Sequence, residues 1–498
     1  MKKTTYFLQL IIALFLFGCS EDFLDIPPED SLSKAIFFES QADFEQAINA
    51  TYAPLRDLQQ AGGNAPGSAW GMGELTSDNT YYKFNPNYRA VQDGEGLADH
   101  YPNNANATIG AKYVTNYLII ARANQILDLI DDIEFEDQAL QSNIKGQALF
   151  LRGLSYFDLV QFYGAVPLHT VPVTSRENAA LPLSSADEVY AQIVNDVSEA
   201  ISLLPPKSSQ EAGRATRGSA RMLLGNVYVV RENWSAASTV LGELINSGEY
   251  ALLPDYASVF ELANKNSSES IFEVQFLEGT EGFASFFPYN QIPMPLTAEQ
   301  VAAISGVPNS QAINEQGFNI PTPDIIDSYE DGDPRKSVSI DSVNVDGVFY
   351  PYINKFWQPH STPGLTGVNF PIYRYSEALL FYAEALNEAG QSSEAITFLN
   401  QVRERVGLAP LAGLDQTALR QAIMDERRVE LAFENKRWLD LVRTGTAQAV
   451  MTAFGERVKA NPQDYYFPDG IAPPPVAFTT ISELFPIPAG ETLLNPNF

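Results

Sequence analysis

The sequence predicts a mainly α-helical domain built on tetratricopeptide-like helix pairs, interrupted by a loop-rich insertion carrying short β-strands. Three observations predict it. Apolar residues recur at three- and four-residue steps over long segments on both sides of residue 250. Two of those segments, near Arg221 and Leu379, carry the same order of bulky and small residues at matching offsets. From about 251 to 370 the helical period gives way to Gly, Pro, Asn and aromatic residues, the composition of loops and short strands.

The chain opens with Lys2 and Lys3, an apolar run from Tyr6 to Phe17, and Gly18-Cys19. A positive start, a short apolar run and a small residue before the cut describe a secretory leader. The run is too short for a membrane-spanning helix, which needs about 20 residues. Leu16-Phe17-Gly18-Cys19 is similar to a bacterial lipobox, so residues 1–18 are read as a leader and Cys19 as the lipidation point. Residues 19–40 are read as lipidated cysteine and tether, and 41–498 as one domain. Cys19 is the only cysteine, which excludes disulfides and thiolate metal sites from that domain. A thiol nucleophile would need a base held beside it, and a cysteine at a new N-terminus is poorly placed for one.

Helical patterns follow in order. QADFEQAINATYAPLRDLQQA (41–61) runs up to Gly62-Gly63, and residues 113–133 and 143–164 form a predicted pair. Residues 186–205, 216–233 and 234–248 complete the first helical half, about 41–250. SESIFEVQF reads as a strand opening the insertion. Helices return at PIYRYSEALLFYAEALNEAG and continue to about 455, before a proline-rich C-terminal coil that completes the half from about 371 to 498. In the first repeat Leu224, Gly225, Tyr228, Ala237 and Leu241 fit the tetratricopeptide offsets; in the second, Leu379, Tyr382, Ala383, Leu386, Ala395 and Leu399 fit them. The two repeats are far apart in sequence, which argues against an open solenoid.

Basic side chains number 31 against 61 acidic ones, a net charge of −30. Removing Lys2 and Lys3 with the leader leaves 29 against 61, or −32. With no dense basic run to offset it, such a surface repels phosphate backbones and excludes a nucleic-acid partner. A neutral ligand suits it best.

Catalytic and metal signals are sparse. His100, His169 and His360 are too scattered to form a metal site by spacing. No nucleophile elbow, phosphate-binding glycine loop or zinc motif occurs. DGDPRKSVSIDSVNVDG (331–347) has alternating acids but lacks EF-hand spacing and its terminal Glu; it reads as a solvated loop, with a structural calcium ion the one cofactor left open. Glu426, Glu430 and Glu434 stand four apart with Arg427, Arg428, Lys436 and Arg437 interleaved. They read as a helix pinned by ion pairs at helical spacing, although paired carboxylates also serve glycoside hydrolysis.

With these segments in order, the chain resembles the SusD/RagB family of outer-membrane nutrient-binding lipoproteins of Bacteroidetes. CSEDFLDIPP looks like that family's mature start. IIARANQILDLI and GQALFLRGLSYFDLVQFYGAVPL look like its first repeat region. RYSEALLFYAEALNEAG, LNQVRERVGL and IMDERRVELAFENKRWLDLVRTG are similar to its C-terminal signature, and ELFPIPAGETLLNPNF to its closing segment. The resemblance implies a SusD-like fold, glycan binding without catalysis, a SusC-like TonB-dependent transporter as partner, and a lipid-anchored place on the outer cell surface. Glu21 and Asp22 are similar to the family's export signal. A minority branch handles peptides, so peptide capture stays open beside glycan capture, and a glycoside hydrolase beyond it.

Sugar binding asks for rigid aromatic faces beside amides, acids or imidazoles in loops. Three stretches qualify. The first holds Trp70, Asp78, Asn79, Tyr81, Tyr82 and Tyr88; the second Phe287, Tyr289 and Asn290; the third Trp357 and His360. The resemblance favours the first two, because the family's ligand arc comes from the loops before the first repeat and after the second. Trp234 and Trp438 sit in helical patterns and read as core.

Overall fold

The computed structural model describes residues 38–60, 67–88 and 92–498. The leader, Cys19 and nearly all of the tether lie outside the described residues. α1 (Gln41–Tyr52) starts in a capping box between Ser40 and Asp43. The helix expected to reach residue 61 breaks at Ala53-Pro54 and resumes as the short helix Leu55–Gln59, as a proline without an N–H requires. α2 (Ala107–Leu129) and α3 (Gln138–Tyr163) are capped by Asn106 and Asp137, whose side chains accept from the first free N–H groups. α4 (Ala186–Leu203), α5 (Arg217–Val230) and α6 (Trp234–Asn246) complete the first half. After the insertion come α7 (Tyr375–Glu388), α8 (Ser392–Arg405), α9 (Gln416–Glu430), α10 (Arg437–Arg443) and α11 (Ala447–Ala460).

From α2 to α7 each of these helices packs on the next, and α7 also receives α8 and α9. The small residues allow this approach: a Cβ on Gly225 of α5 would sit 2.5 Å from Leu241 Cδ2 of α6. The two repeats, separate in sequence, are therefore neighbours in space, because α6 packs directly on α7. The insertion therefore interrupts the sequence of the helical scaffold without separating its two repeats. The insertion leaves the stack after α6 and returns just before α7. Its ends are joined by β2 (Ser270–Val274), antiparallel to β6 (Phe370–Arg374), with Val274 opposite Phe370. Within it, β3 (Gly317–Pro321) pairs with β1 (Thr80–Lys83) from the first half, and β4 (Ile340–Val345) forms a hairpin with β5 (Val348–Ile353).

Residues 331–347 are more ordered than the loop they were read as. They hold the short helix Arg335–Ser339 and β4, with a turn at Asp346 and Gly347, both at positive φ. The Asp333 carboxylate is taken by Arg335, whose Nε and Nη2 approach to 3.0 and 2.8 Å. Among the described residues no three His, Cys, Asp or Glu side chains gather to hold a metal ion.

One hydrophobic core runs through the stack and under the insertion, and a second, smaller cluster is built around Tyr289, Ile292, Met294, Val343 and Tyr352. Between stack and insertion lies a buried ion network. Glu430, fully buried, accepts from Arg335, Arg374 and Arg405 at 3.0, 3.0 and 2.6 Å. Glu426 accepts from Arg335 and Arg403, and Glu434 from Arg374 and Lys355. The sequence suggested pairs within one helix. The partners come instead from α8 and the insertion, because these glutamates face the interior and only tertiary cations can reach them. No described helix is long and apolar enough to cross a membrane.

Candidate functional site

The first aromatic stretch turns inward. Trp70, on the short helix Ser68–Gly73, has no exposed surface and packs 5.5–5.8 Å from Phe287, Phe356 and Phe370. Tyr81 and Tyr82 are equally buried, their rings 4.6 Å apart, and both hydroxyls donate to Asp99. Asp78 is clamped by Arg437 at 2.8 and 3.0 Å and by Arg428 at 2.9 Å. Burial opposes ionisation of Asp78, but these two guanidiniums outweigh it and hold the carboxyl below its ordinary range. Asn79 donates to Glu74 and accepts from Arg428. Trp70, Asp78, Asn79, Tyr81, Tyr82 and Phe287 are therefore corrected from ligand candidates to core and interlocking residues. The cause is topological: β1 pairs with β3, which pulls its flanks under the insertion. Tyr88 stays half-buried on the short 3-10 turn Pro86–Tyr88.

The second stretch divides. On the short helix Phe287–Asn290, Phe287 enters the main core and Tyr289 joins the smaller cluster. There it meets the third stretch. The Tyr289 ring stands edge-on to Trp357 at 4.9 Å and to His360 at 5.7 Å. The Trp357 and His360 rings lie 30° from parallel, 6.4 Å apart. Both are half-buried, whereas Tyr289 is 6% exposed. A carbonyl can only accept, so His360 Nδ1–H donates to Gln358 O at 2.9 Å. Nε2 is then left to accept from the Tyr289 hydroxyl at 2.7 Å. That chain of bonds fixes the imidazole's tautomer and tilt.

The loop after His360 is held from outside the stretch. Glu278 accepts from both the N–H and the hydroxyl of Ser361, at 2.7 and 2.6 Å. Sequence reasoning missed Glu278, and no local signal marks it, since its partner is 83 residues away. Near the rings, Asn290 Nδ2 and Trp357 Nε1 have no hydrogen-bond partner in the protein. The arrangement is thus an aromatic step above two buried donors. Of the sequence candidates, Tyr289, Trp357 and His360 are the ones brought together, with Asn290 following Tyr289 on its short helix.

Comparison with known proteins agrees with this architecture. A family model described as the SusD family matches residues 334–498, and one described as starch-binding associating with outer membrane matches 22–229. A SusD-like protein, P25, of Formosa agariphila is 27% identical over 89% of this chain and 90% of its own length. Among solved structures, a laminarin-binding SusD-like protein is 25% identical with a TM-score of 0.71, covering 92% of this chain and 98% of that one. The surface glycan-binding protein A of Bacteroides thetaiotaomicron in complex with laminarihexaose also superimposes at a TM-score of 0.71, with 22% identity over 91% of this chain and 97% of that one.

Proposed function

We propose, from the premise that this chain belongs to the SusD/RagB family, that it is a glycan-binding lipoprotein of the outer cell surface. It captures a neutral oligosaccharide and hands it, without bond cleavage, to a SusC-type TonB-dependent transporter. One observation carries the reading: Trp357 and His360 offer nearly parallel faces at the surface, fixed from beneath by Tyr289. The C–H face of a pyranose stacks on such rings, and rings with few rotors lose little entropy on binding. The net charge of −30 disfavours sulfated or uronic glycans.

Calorimetry of the lipid-free chain against a panel of neutral polysaccharides tests this. Trp357→Ala is expected to weaken binding at least tenfold while the melting temperature moves little. If every polysaccharide fails and peptides bind, the reading is wrong. Anchoring by lipid on Cys19 is tested separately: radiolabelled palmitate is incorporated by the parent, and Cys19→Ala is expected to abolish incorporation and release the protein from membranes. Equal labelling of both would refute it.

A further inference from the structure

A second site lies away from the aromatic step, on the helical stack itself. α7, α9, α10, α11 and the start of α6 enclose a cleft of about 810 Å³, within the roughly 300–1,000 Å³ of small-ligand sites. Five arginines and five carboxylates line it, with no lysine or histidine. The cations are already engaged. Arg443 grips Glu384 at 2.6 and 2.9 Å, Arg420 grips Glu388 at 2.7 and 2.5 Å, and Arg437 grips Asp78. Forked pairs of this kind are rigid and leave outer N–H groups and carboxylate lone pairs facing the space. Five guanidiniums against five carboxylates leave the walls with no net charge.

Trp234 completes the cleft. The sequence placed this residue in the core, but it begins α6 and is half-buried at the cleft wall. Of the four tryptophans, Trp70 and Trp438 are fully buried, leaving Trp234 and Trp357 as the two with exposed surface. A phosphate or sulfate would need an unspent cation, which paired arginines do not supply. A purely apolar ligand would strand the ion pairs. A neutral polyhydroxylated ligand meets both demands, stacking on the indole and exchanging hydrogen bonds with the Arg420–Glu388 and Arg443–Glu384 pairs.

We propose that this cleft is a second oligosaccharide subsite, distinct from the Trp357 step; the inference rests on the glycan-binding reading above. The test is fluorine NMR of the lipid-free chain labelled with 5-fluorotryptophan, which gives four resonances assigned by single Trp→Phe variants. The titrants are laminarihexaose, maltohexaose and cellohexaose, with a neutral hexapeptide in parallel. The Trp234 resonance is expected to shift saturably with a hexasaccharide, in the parent and equally in Trp357→Ala. Arg420→Ala, at the exposed rim, is expected to weaken the affinity read at Trp234 at least fivefold and leave that at Trp357 unchanged. If Trp357 shifts while Trp234 stays still, the second subsite is refuted and the glycan reading stands. If both stay still, both fail. A Trp234 shift with the peptide alone also overturns the subsite.

Discussion

Replacing Glu430 by glutamine removes one negative charge from the centre of the buried ion network and keeps the side chain's shape. Arg335, Arg374, Arg403, Arg405 and Lys355 stand there against Asp333, Glu269, Glu426, Glu430 and Glu434, each side chain at most 5% exposed. Five cations facing five carboxylates become five facing four. Leaving one buried charge uncompensated costs about 3–5 kcal/mol. Unfolding entropy is about 2.1 cal/mol/K per residue, so roughly 450 folded residues give about 1 kcal/mol/K and a fall in Tm of about 3–5 °C. The pH dependence has a definite sign. Burial raises the Glu430 pKa, but Arg405, Arg374 and Arg335 outweigh it and hold the carboxyl far below its ordinary range. A depressed folded-state pKa contributes stability above the unfolded value of about 4.3, and that contribution is lost as pH falls below it. Differential scanning calorimetry should therefore show a constant gap between parent and Glu430→Gln from pH 7 to about 5. By pH 3 the gap should be narrower by about 2 kcal/mol. A gap under about 1 °C at pH 7, or one unchanged at pH 3, would refute the account of the network.

Two further outcomes are expected. Burial against Trp438 pushes the His100 imidazole down to about 4, while its Nε2–H donates to Thr76 O. The unfolded chain then takes up this proton between about pH 6.5 and 4 while the folded chain does not, so stability drains by about 3 kcal/mol as pH falls through that window. His100→Asn, which keeps a residue tolerant of the positive φ at this site, should lose that part of the slope in urea titrations at pH 7 and 4; an unaltered slope refutes it. Trp70→Ala should cost about 3–5 kcal/mol of stability, as removing a fully buried aromatic does. Its glycan affinity should change less than that of Trp357→Ala; the reverse order would return Trp70 to the ligand.

Helices were legible because their signals are local. Ser185 with Glu188, and Thr216 with Ser219, start α4 and α5 as capping boxes that can be read from neighbouring letters. The inward turn of Trp70, Tyr81 and Tyr82 was not legible, because loop composition does not say which face a ring presents. That was decided by β1 pairing with β3, more than 200 residues on. Phe287 and Tyr289 show the same point at two residues' spacing: one enters the main core and the other the outer cluster. The ion network was half legible. The glutamates' spacing marked ion pairing on one helix face, but not that the face is buried, nor that the arginines that answer it come from other elements.

The packing of α6 on α7 bears on how this chain reaches its native state. Those helices bracket a detour of roughly 130 residues, and closing a loop of that length costs about 4 kcal/mol of chain entropy. The helices before and after it hold local contacts that form early, whereas this junction forms only after the two ends of the detour have met. The β2–β6 pair lies where those ends meet and shortens the search, as a clasp does. It also separates two histories of change. Beyond the clasp, the segments outside the Arg335 and Lys355 ion pairs, the Phe287 and Phe356 packing and the β1–β3 pairing can lengthen, shorten or be exchanged without altering the register of α6 against α7, so ligand preference can diverge on an unchanging frame.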